Sequence, residues 1–207
     1  MKINDLCVRY NDKQILGGVS LDIEKGERIA IVGKSGEGKT TLLKAVASLI
    51  PYEGEVLGVG KSAFVFQTDK LITELSAKEN LLMVNPDCDA DKLLSDMGLG
   101  SKINAQVKAL SGGMSRRVAF ARAFAYGAET VLADEPFSGL DISTKCDIIK
   151  KVKEMLEGTT LLLVTHDLFE ARELCVKTVV LCGGKIIKIF NHAEQSQEEM
   201  LNFLQNL

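Results

Sequence analysis

The chain has 207 residues, of which 25 are basic and 28 are acidic, so its formal net charge is −3. A chain of this length can bury a sizeable core as one domain, and its balanced charge excludes the strong basic field typical of nucleic-acid-binding proteins. Its five cysteines contain no C-x-x-C pair, which predicts reduced core thiols in place of a zinc site or a disulfide framework.

The N-terminal part of the chain predicts strands. Residues 2–32 alternate apolar and polar positions between short turns, a pattern typical of antiparallel strands, and "RIAIVG" at 28–33 is typical of a buried strand. Residues 40–50 have helical spacing and stop at Pro51, because proline ends helices. From about 67 to 111 the pattern changes to amphipathic helices, which predicts a small helical subdomain.

The C-terminal half alternates helices and strands. In chain order, the sequence predicts a helix at 115–126, a strand at 130–134, a helix at 143–157, a strand at 159–167, a helix at 167–175 and a hairpin at 177–190. Such alternation is typical of a parallel sheet covered on both faces. We therefore predict one α/β domain with a mostly parallel central sheet, an N-terminal antiparallel β part, a core formed by 1–66 and 112–207, and a helical insertion at about 67–111.

The first candidate site is the glycine-rich segment "GKSGEGKT", which fits G-x-x-x-x-G-K-[ST] directly after a strand and before a helix. In such a loop the backbone wraps the phosphates, Lys39 reaches the outer ones, and the Thr40 hydroxyl can bind magnesium. The motif predicts a P-loop NTPase core. Its nucleotide-binding residues are Gly33, Lys34, Ser35, Gly36, Glu37, Gly38, Lys39, Thr40 and Thr41.

Acidic and imidazole side chains end the next two buried strands. Asp134 and Glu135 close "TVLADE", and His166 closes "LLLVTH". The carboxyl ends of parallel strands are where α/β sheets bind ligands. We therefore expect Asp134 to hold Mg²⁺, Glu135 to polarise an attacking water, and His166 to contact a γ-phosphate.

A second phosphate-binding pattern, "LSGGM", opens the helix predicted at 115–126. A glycine pair at a helix start offers free backbone N–H groups and the positive end of the helix dipole. The chain thus carries two phosphate cradles.

The motifs "GKSGEGKTT", "FVFQ", "LSGGM", "VLADEP", "SGLD" and "VTHD" occur in the order found in ATP-binding cassette (ABC) ATPases. The chain resembles that family over most of its length. Its "LSGGMSRRVAFARA" is similar to the signature of the importer ATPases for nitrate, sulfonate and taurine. It departs from the usual family pattern by Met114 in place of glutamine and by a shorter segment between Gln67 and Ser111.

The resemblance implies a head-to-tail dimer in which each ATP lies between one subunit's phosphate loop and the other's signature. Ser111, Gly112 and Gly113 would then hold the γ-phosphate of the partner's nucleotide, which accounts for the second cradle. Asp141 would contact the other subunit, and Tyr10 would stack on adenine.

The same resemblance assigns the catalytic roles. Gln67 would sense magnesium and the attacking water, Glu135 would be the general base, Asp134 the magnesium ligand, and His166 the γ-phosphate switch beside Lys39. The implied cofactors are ATP and Mg²⁺. Arg116 and Arg117 are expected to lie on the helix surface or to pack against the helical subdomain.

The function implied is that of an ATP-hydrolysing ABC transporter subunit that drives solute transport, in the import direction. Its expected partners are integral-membrane permease subunits, which dock on the helical subdomain, a second ATPase subunit as a homodimer, and a substrate-binding protein, with no nucleic acid. No stretch has the roughly 18 apolar residues of a membrane span, so we expect a cytoplasmic protein, peripheral on the cytoplasmic face of the membrane.

Two alternatives stay open. One is a soluble ABC ATPase of an assembly system such as iron–sulfur cluster assembly, which would associate with soluble scaffold subunits. The other is a degenerate binding module that no longer hydrolyses ATP. The presence of Lys39, Asp134, Glu135 and His166 argues against the second.

Overall fold

The computed structural model describes residues 1–11 and 13–206. Its smaller sheet is antiparallel, with strand order β2-β1-β4. These strands are β1 Lys2–Tyr10, β2 Lys13–Asp22 and β4 Glu53–Leu57. In β1 the apolar side chains Ile3, Leu6 and Val8 are buried, so the alternation that predicted antiparallel strands reflects one face packed on the core.

The larger sheet has strand order β5-β6-β7-β3-β8-β9 and is parallel except for its last pair. Its strands are β3 Arg28–Val32, β5 Ser62–Val65, β6 Thr130–Asp134, β7 Thr160–Val164, β8 Lys177–Cys182 and β9 Lys185–Asn191. Every residue of β6 and β7 is buried, as coverage of both faces requires. The predicted parallel sheet and the C-terminal hairpin are confirmed.

The helices are α1 Lys39–Val46, α2 Ala77–Leu82, α3 Ala90–Asp96, α4 Gly112–Ala125, α5 Ile142–Met155, α6 Leu168–Leu174 and α7 Gln197–Gln205. Helices α1 to α6 lie where the sequence predicts helices, with boundaries that shift by a few residues, and α7 follows the predicted hairpin. Among the residues that the structure describes, no helix has the length and hydropathy needed to cross a membrane.

The end of α1 corrects one expectation. The helix predicted to run to residue 50 stops at Val46, because Ser48 adopts a left-handed φ of 55°. The Leu49 N–H donates to the carbonyl of Lys44 at 2.8 Å and the Ser48 N–H to that of Ala45 at 2.9 Å. These two bonds form a Schellman motif, which closes a helix before any proline is reached.

The segment predicted to be helical, 67–111, contains α2, α3 and two short 3-10 helices, Gly100–Lys102 and Val107–Ala109. A capping box between Ser76 and Glu79 starts α2, which satisfies two backbone donors. That this segment forms a separate subdomain stays a prediction.

Four neighbouring parallel strands, β5, β6, β7 and β3, direct their carboxyl ends to one edge of the sheet. The segments that follow these strands contain Gln67, Glu135, His166 and the glycine-rich loop. Because loops after adjacent parallel strands are neighbours in space, the sheet itself gathers the predicted site residues.

Candidate nucleotide-binding site

The phosphate loop, defined here as residues 33–40, connects β3 to the first turn of α1. At its start the backbone passes so close to β8 that a Cβ added to Gly33 would lie 2.3 Å from the carbonyl oxygen of Leu181. Gly38, the N-cap of α1, has a left-handed φ of 94°, a conformation that favours glycine. Both glycines of the motif are therefore required by the local geometry.

Lys39 is held inside its own loop. Its Nζ donates to the carbonyl oxygens of Gly33 at 2.9 Å and Lys34 at 2.8 Å, and the residue is buried. An ammonium has three donors, so two are used to fix the side chain and one is left for an incoming acceptor.

Thr40 and Asp134 bring together two oxygen atoms suited to a hard cation. The Thr40 hydroxyl donates to Oδ1 of Asp134 at 3.1 Å, and Asp134 is buried at the end of β6. Burial raises the pKa of Asp134 above its usual value, against the lowering effect of the Thr40 hydrogen bond. A buried carboxylate beside a hydroxyl has the donor chemistry that Mg²⁺ prefers, so these residues fit the ion.

Glu135 begins the loop after β6 in an unusual conformation. Its φ is 43°, a left-handed value that costs energy for a residue with a Cβ. Its N–H is fixed by the carbonyl of Val164 at 2.9 Å. His166 lies beside it, with Nδ1 3.6 Å from Oε2 of Glu135. The structure thus brings together these two residues from neighbouring strands.

A cavity of 460 Å³ opens over the phosphate loop. Its lining contains many of the predicted nucleotide-binding residues, together with the predicted Gln67, the predicted base Glu135, and one further residue, Ile15. The lining residues are Tyr10, Ile15, Ser35, Gly36, Gly38, Lys39, Thr40, Thr41, Gln67 and Glu135.

Ile15 was missed by the sequence reasoning. It lies on β2, and its carbonyl oxygen and Cγ2 are each 3.2 Å from where a Cβ on Gly38 would sit. The alternation of β2 predicts a strand residue there, but only the packing of the two sheets brings it against the phosphate loop. Glu37, by contrast, does not line the cavity, since its carboxylate accepts a hydrogen bond from the N–H of Gly183.

The signature residues lie outside this cavity. Ser111 caps α4, with Oγ accepting from the N–H of Met114 at 3.3 Å, and Gly113 packs against Thr144. Ser111, Gly113 and Met114 line a different hollow, of 310 Å³. Within one chain the structure therefore does not join the second cradle to the first.

Asp141 also lies outside the cavity and caps α5. Its Oδ1 accepts from the N–H of Thr144 at 2.9 Å, and hydrogen bonds with Thr144 hold the pKa of this exposed carboxyl below its usual value. Because Gly113 and Asp141 both contact Thr144, the signature and the "SGLD" segment lie side by side.

The sequence profile described as ABC transporter matches residues 16–138. The chain belongs to the ABC transporter family. It is an ATP-binding ATPase of that family, as its motifs predict.

The relatives of this ABC ATPase act in both directions. It is 32% identical over 211 residues to the aliphatic sulfonates import ATP-binding protein SsuB 3 of Paraburkholderia xenovorans, with 99% of this chain and 85% of that protein covered. It is 34% identical over 96% of its length to the macrolide export ATP-binding/permease protein MacB of Campylobacter jejuni, of which it spans only 35%.

A solved relative supports the fold directly. The ATP-binding cassette MJ0796, determined as a dimer in a post-hydrolysis state bound to ADP and Pi, superimposes with a TM-score of 0.80 at 30% identity, over 92% of this chain and 97% of that one. The predicted ABC ATPase fold is confirmed.

One residue of the signature helix of this ABC ATPase contacts the segment that contains Gln67. Gln67, which lines the cavity, follows Phe66, and the carbonyls of both accept hydrogen bonds from Arg116 of the signature helix α4. Arg116 also forms an ion pair with Asp69 at 3.0 Å. Arg122, further along α4, donates to the carbonyl of Lys70 at 2.7 Å. From the sequence, Arg116 was expected only at the helix surface or in packing against the helical subdomain. In the structure its guanidinium also binds the backbone carbonyls of the segment that contains Gln67.

Proposed function

We propose that this ABC ATPase drives the import of a small solute through ATP-driven closure of a head-to-tail dimer. The observation that carries the proposal is the division of the two cradles. The phosphate loop lies in a cavity with Gln67 and Glu135, whereas Ser111 and Gly113 line a separate hollow. A second copy of the chain is therefore needed to bring a signature segment against a phosphate loop.

Residues at this edge of the sheet have separate roles in the proposed hydrolysis. Lys39, already fixed by two carbonyls, presents its remaining donor to the outer phosphates. Glu135 accepts the proton of the attacking water, and His166 beside it contacts the γ-phosphate. Thr40 and Asp134, together with Gln67, would hold Mg²⁺, whose charge neutralises the phosphate oxygens when bound.

The signature supplies the other half of the site. The 14-residue helix α4 starts at Gly112, where a Cβ would meet no atom within 4 Å, so the backbone N–H groups there are open to a ligand. Helix starts attract anions through these donors and the helix dipole. Ser111, Gly112 and Gly113 would hold the partner's γ-phosphate, Asp141 would touch the partner's surface, and Tyr10 would stack on the adenine.

Import is favoured by the match to an aliphatic sulfonates import protein, of which the chain covers 85% against 35% of the macrolide export protein, and by Met114 in the signature. The partners proposed are a second copy of the chain, integral-membrane permease subunits that dock on the 67–111 segment, and a substrate-binding protein. In that assembly the chain lies on the cytoplasmic face of the membrane.

Light scattering of Glu135→Gln at micromolar concentration, with and without Mg-ATP, tests the dimer. We expect ATP to convert monomer to dimer, because removal of the base leaves nucleotide bound and intact. Ser111→Arg in the same background should abolish the dimer, while Ser101→Arg, an exposed serine of the same segment, should leave it.

A monomer that binds ATP under these conditions would contradict closure by this chain alone. Rapid turnover by Glu135→Gln would remove its assignment as base. Lys39→Ala should lose ATP binding in equilibrium titration. Purification of the protein from membranes with integral subunits would support transport, whereas a complex with soluble scaffold proteins would favour the assembly-system alternative.

A further inference from the structure

A partly buried ionic cluster joins α5 to the segment that follows β7. Lys145 of α5 places Nζ 2.7 Å from Oδ2 of Asp167 and 2.7 Å from Oε1 of Glu170. The exposed fractions of these side chains are 18% for Lys145, 31% for Asp167 and 4% for Glu170. The cluster lines no part of the nucleotide cavity.

The cluster fixes the chain on both sides of His166. Before it, the Thr165 hydroxyl donates to Oε2 of Glu170 at 2.5 Å. After it, Asp167 accepts from Lys145, and its N–H donates to the Thr165 hydroxyl at 3.0 Å. The His166 side chain itself is 69% exposed, so the path of its backbone, which the cluster holds, determines where the ring lies.

Lys145 also belongs to the first turns of α5, which follow the N-cap residue Asp141. The Lys145 N–H donates to the carbonyl of Asp141 at 2.9 Å, and the Asp141 carboxylate caps the same turn through Thr144. A single helical turn therefore connects the residue predicted to touch the partner subunit with the loop that carries His166.

The contact between Lys145 and Asp167 favours the charged form of both residues. Burial alone would lower the pKa of Lys145, but its hydrogen bonds to Asp167 and Glu170 raise it above its usual value. Burial would raise the pKa of Asp167, but its contact with Lys145 and its hydrogen bonds from the backbone N–H groups of Phe169 and Glu170 together lower it below its usual value. Buried ion pairs add little net stability, because desolvation offsets their attraction. We therefore expect the main effect of the Lys145 cluster to be on the position of the His166 loop and not on the stability of the fold.

We propose that Lys145 is a positioning residue for ATP hydrolysis, which locks the His166 loop to the Asp141 turn so that the His166 ring stays beside Glu135. The inference rests on the proposed role of His166. It predicts that Lys145 acts on turnover through His166 and leaves the binding of ATP unchanged.

The test is a double-mutant cycle on steady-state ATPase activity. Lys145→Met should lower kcat by about 10- to 100-fold, the range that misplacement of a reacting group causes, with KM for ATP changed by less than about twofold. In a His166→Ala background the same substitution should lower kcat by less than about twofold, because residues that act through one another are not additive.

Lys153→Met is the matched control. Lys153 also joins α5 to α6, through Glu173 at 3.2 Å, but its side chain is 47% exposed and Glu173 is 44% exposed. A general loosening of the two helices would affect both lysine variants alike, whereas the inference expects Lys153→Met to keep kcat within about twofold of the parent.

Asp167→Asn provides a second variant if Lys145→Met folds poorly, because it leaves Lys145 paired with the buried Glu170. It should lower kcat in the same His166-dependent way. Equal losses in both backgrounds, or an unchanged kcat in Lys145→Met, would overturn the inference. Full activity of His166→Ala would instead remove the proposed role of His166 on which the inference depends.

Discussion

The guanidinium of Arg116 is buried against the Gln67 segment, and its loss should strongly destabilise the protein. The side chain is 6% exposed, donates to the carbonyls of Phe66 and Gln67, and pairs with Asp69, which is 17% exposed. Arg116→Met keeps the apolar stem and removes the charge with all three contacts. The Asp69 carboxylate is then left desolvated without this cation.

The size of the loss follows from the burial of both partners. Removing one member of a buried ion pair costs about 3–5 kcal/mol, because the other charge stays out of water. Arg117, the next residue of α4, pairs with Asp147 at 2.6 Å, but Asp147 is 51% exposed. A pair with one exposed member contributes about 0–1 kcal/mol, and Arg117, itself 16% exposed, also donates to the carbonyl of Met97 at 3.1 Å. Arg117→Met is therefore the control and should cost about 1–2 kcal/mol.

Urea unfolding of the nucleotide-free protein, monitored by circular dichroism at neutral pH, measures both losses. Burial raises the pKa of Asp69, and Arg116 opposes this rise. Without Arg116 the folded-state pKa rises further above the unfolded value, so the charged carboxylate destabilises the variant at neutral pH. The difference in unfolding free energy between the parent and Arg116→Met should therefore decrease as the pH falls. Adding Asp69→Asn to Arg116→Met should recover part of the lost stability.

Equal costs for the two arginine variants would refute this reasoning, as would a cost below about 1 kcal/mol for Arg116→Met. If the difference in unfolding free energy between the parent and Arg116→Met increases as the pH falls, Asp69 is not the group left unpaired.

Three further substitutions test separate features. Asp134→Asn should abolish ATP turnover but raise the Tm of the nucleotide-free protein, by about 2–4 °C for each 1 kcal/mol relieved, because burial raises the pKa of this carboxyl and its charge is costly at neutral pH; a lower Tm in calorimetry would contradict this. Gly33→Ala places a Cβ 2.3 Å from the carbonyl oxygen of Leu181 and should lower the free energy of unfolding by at least about 1–3 kcal/mol, measured by urea unfolding. An unchanged midpoint would show that β8 moves to accommodate the added methyl group. Ser76→Ala removes the cap that pairs with Glu79 and should cost about 1 kcal/mol by the same assay, with normal ATPase activity expected.

Much of the fold could be predicted because its signals are local. The alternation in β1 and the apolar runs of β6 and β7 are set by which faces are buried, and burial leaves a period in the sequence. The placement of the candidate residues could be predicted for a related reason, since motifs that end parallel strands lie at one edge of a sheet whatever the strand order.

What could not be predicted depends on contacts between distant segments or on conformations atypical of a residue. The end of α1 requires Ser48 in a left-handed conformation that glycine usually supplies. Ile15 reaches the phosphate loop only through packing between two sheets. The contacts of Arg116 with residues 66–69 and of Lys145 with the His166 loop join segments that no periodic pattern connects.

The strand order has a consequence for how the protein folds. Thr40 follows β3 and Asp134 ends β6, yet β7 lies between these two strands and comes after both along the chain. A nascent polypeptide that has reached residue 140 contains both side chains but lacks the strand that spaces them, so their contact at 3.1 Å must await insertion of β7. Because a ligand stabilises only the states that bind it, a magnesium ion that needs both oxygens cannot stabilise the earlier states, and this cation site arises late in folding.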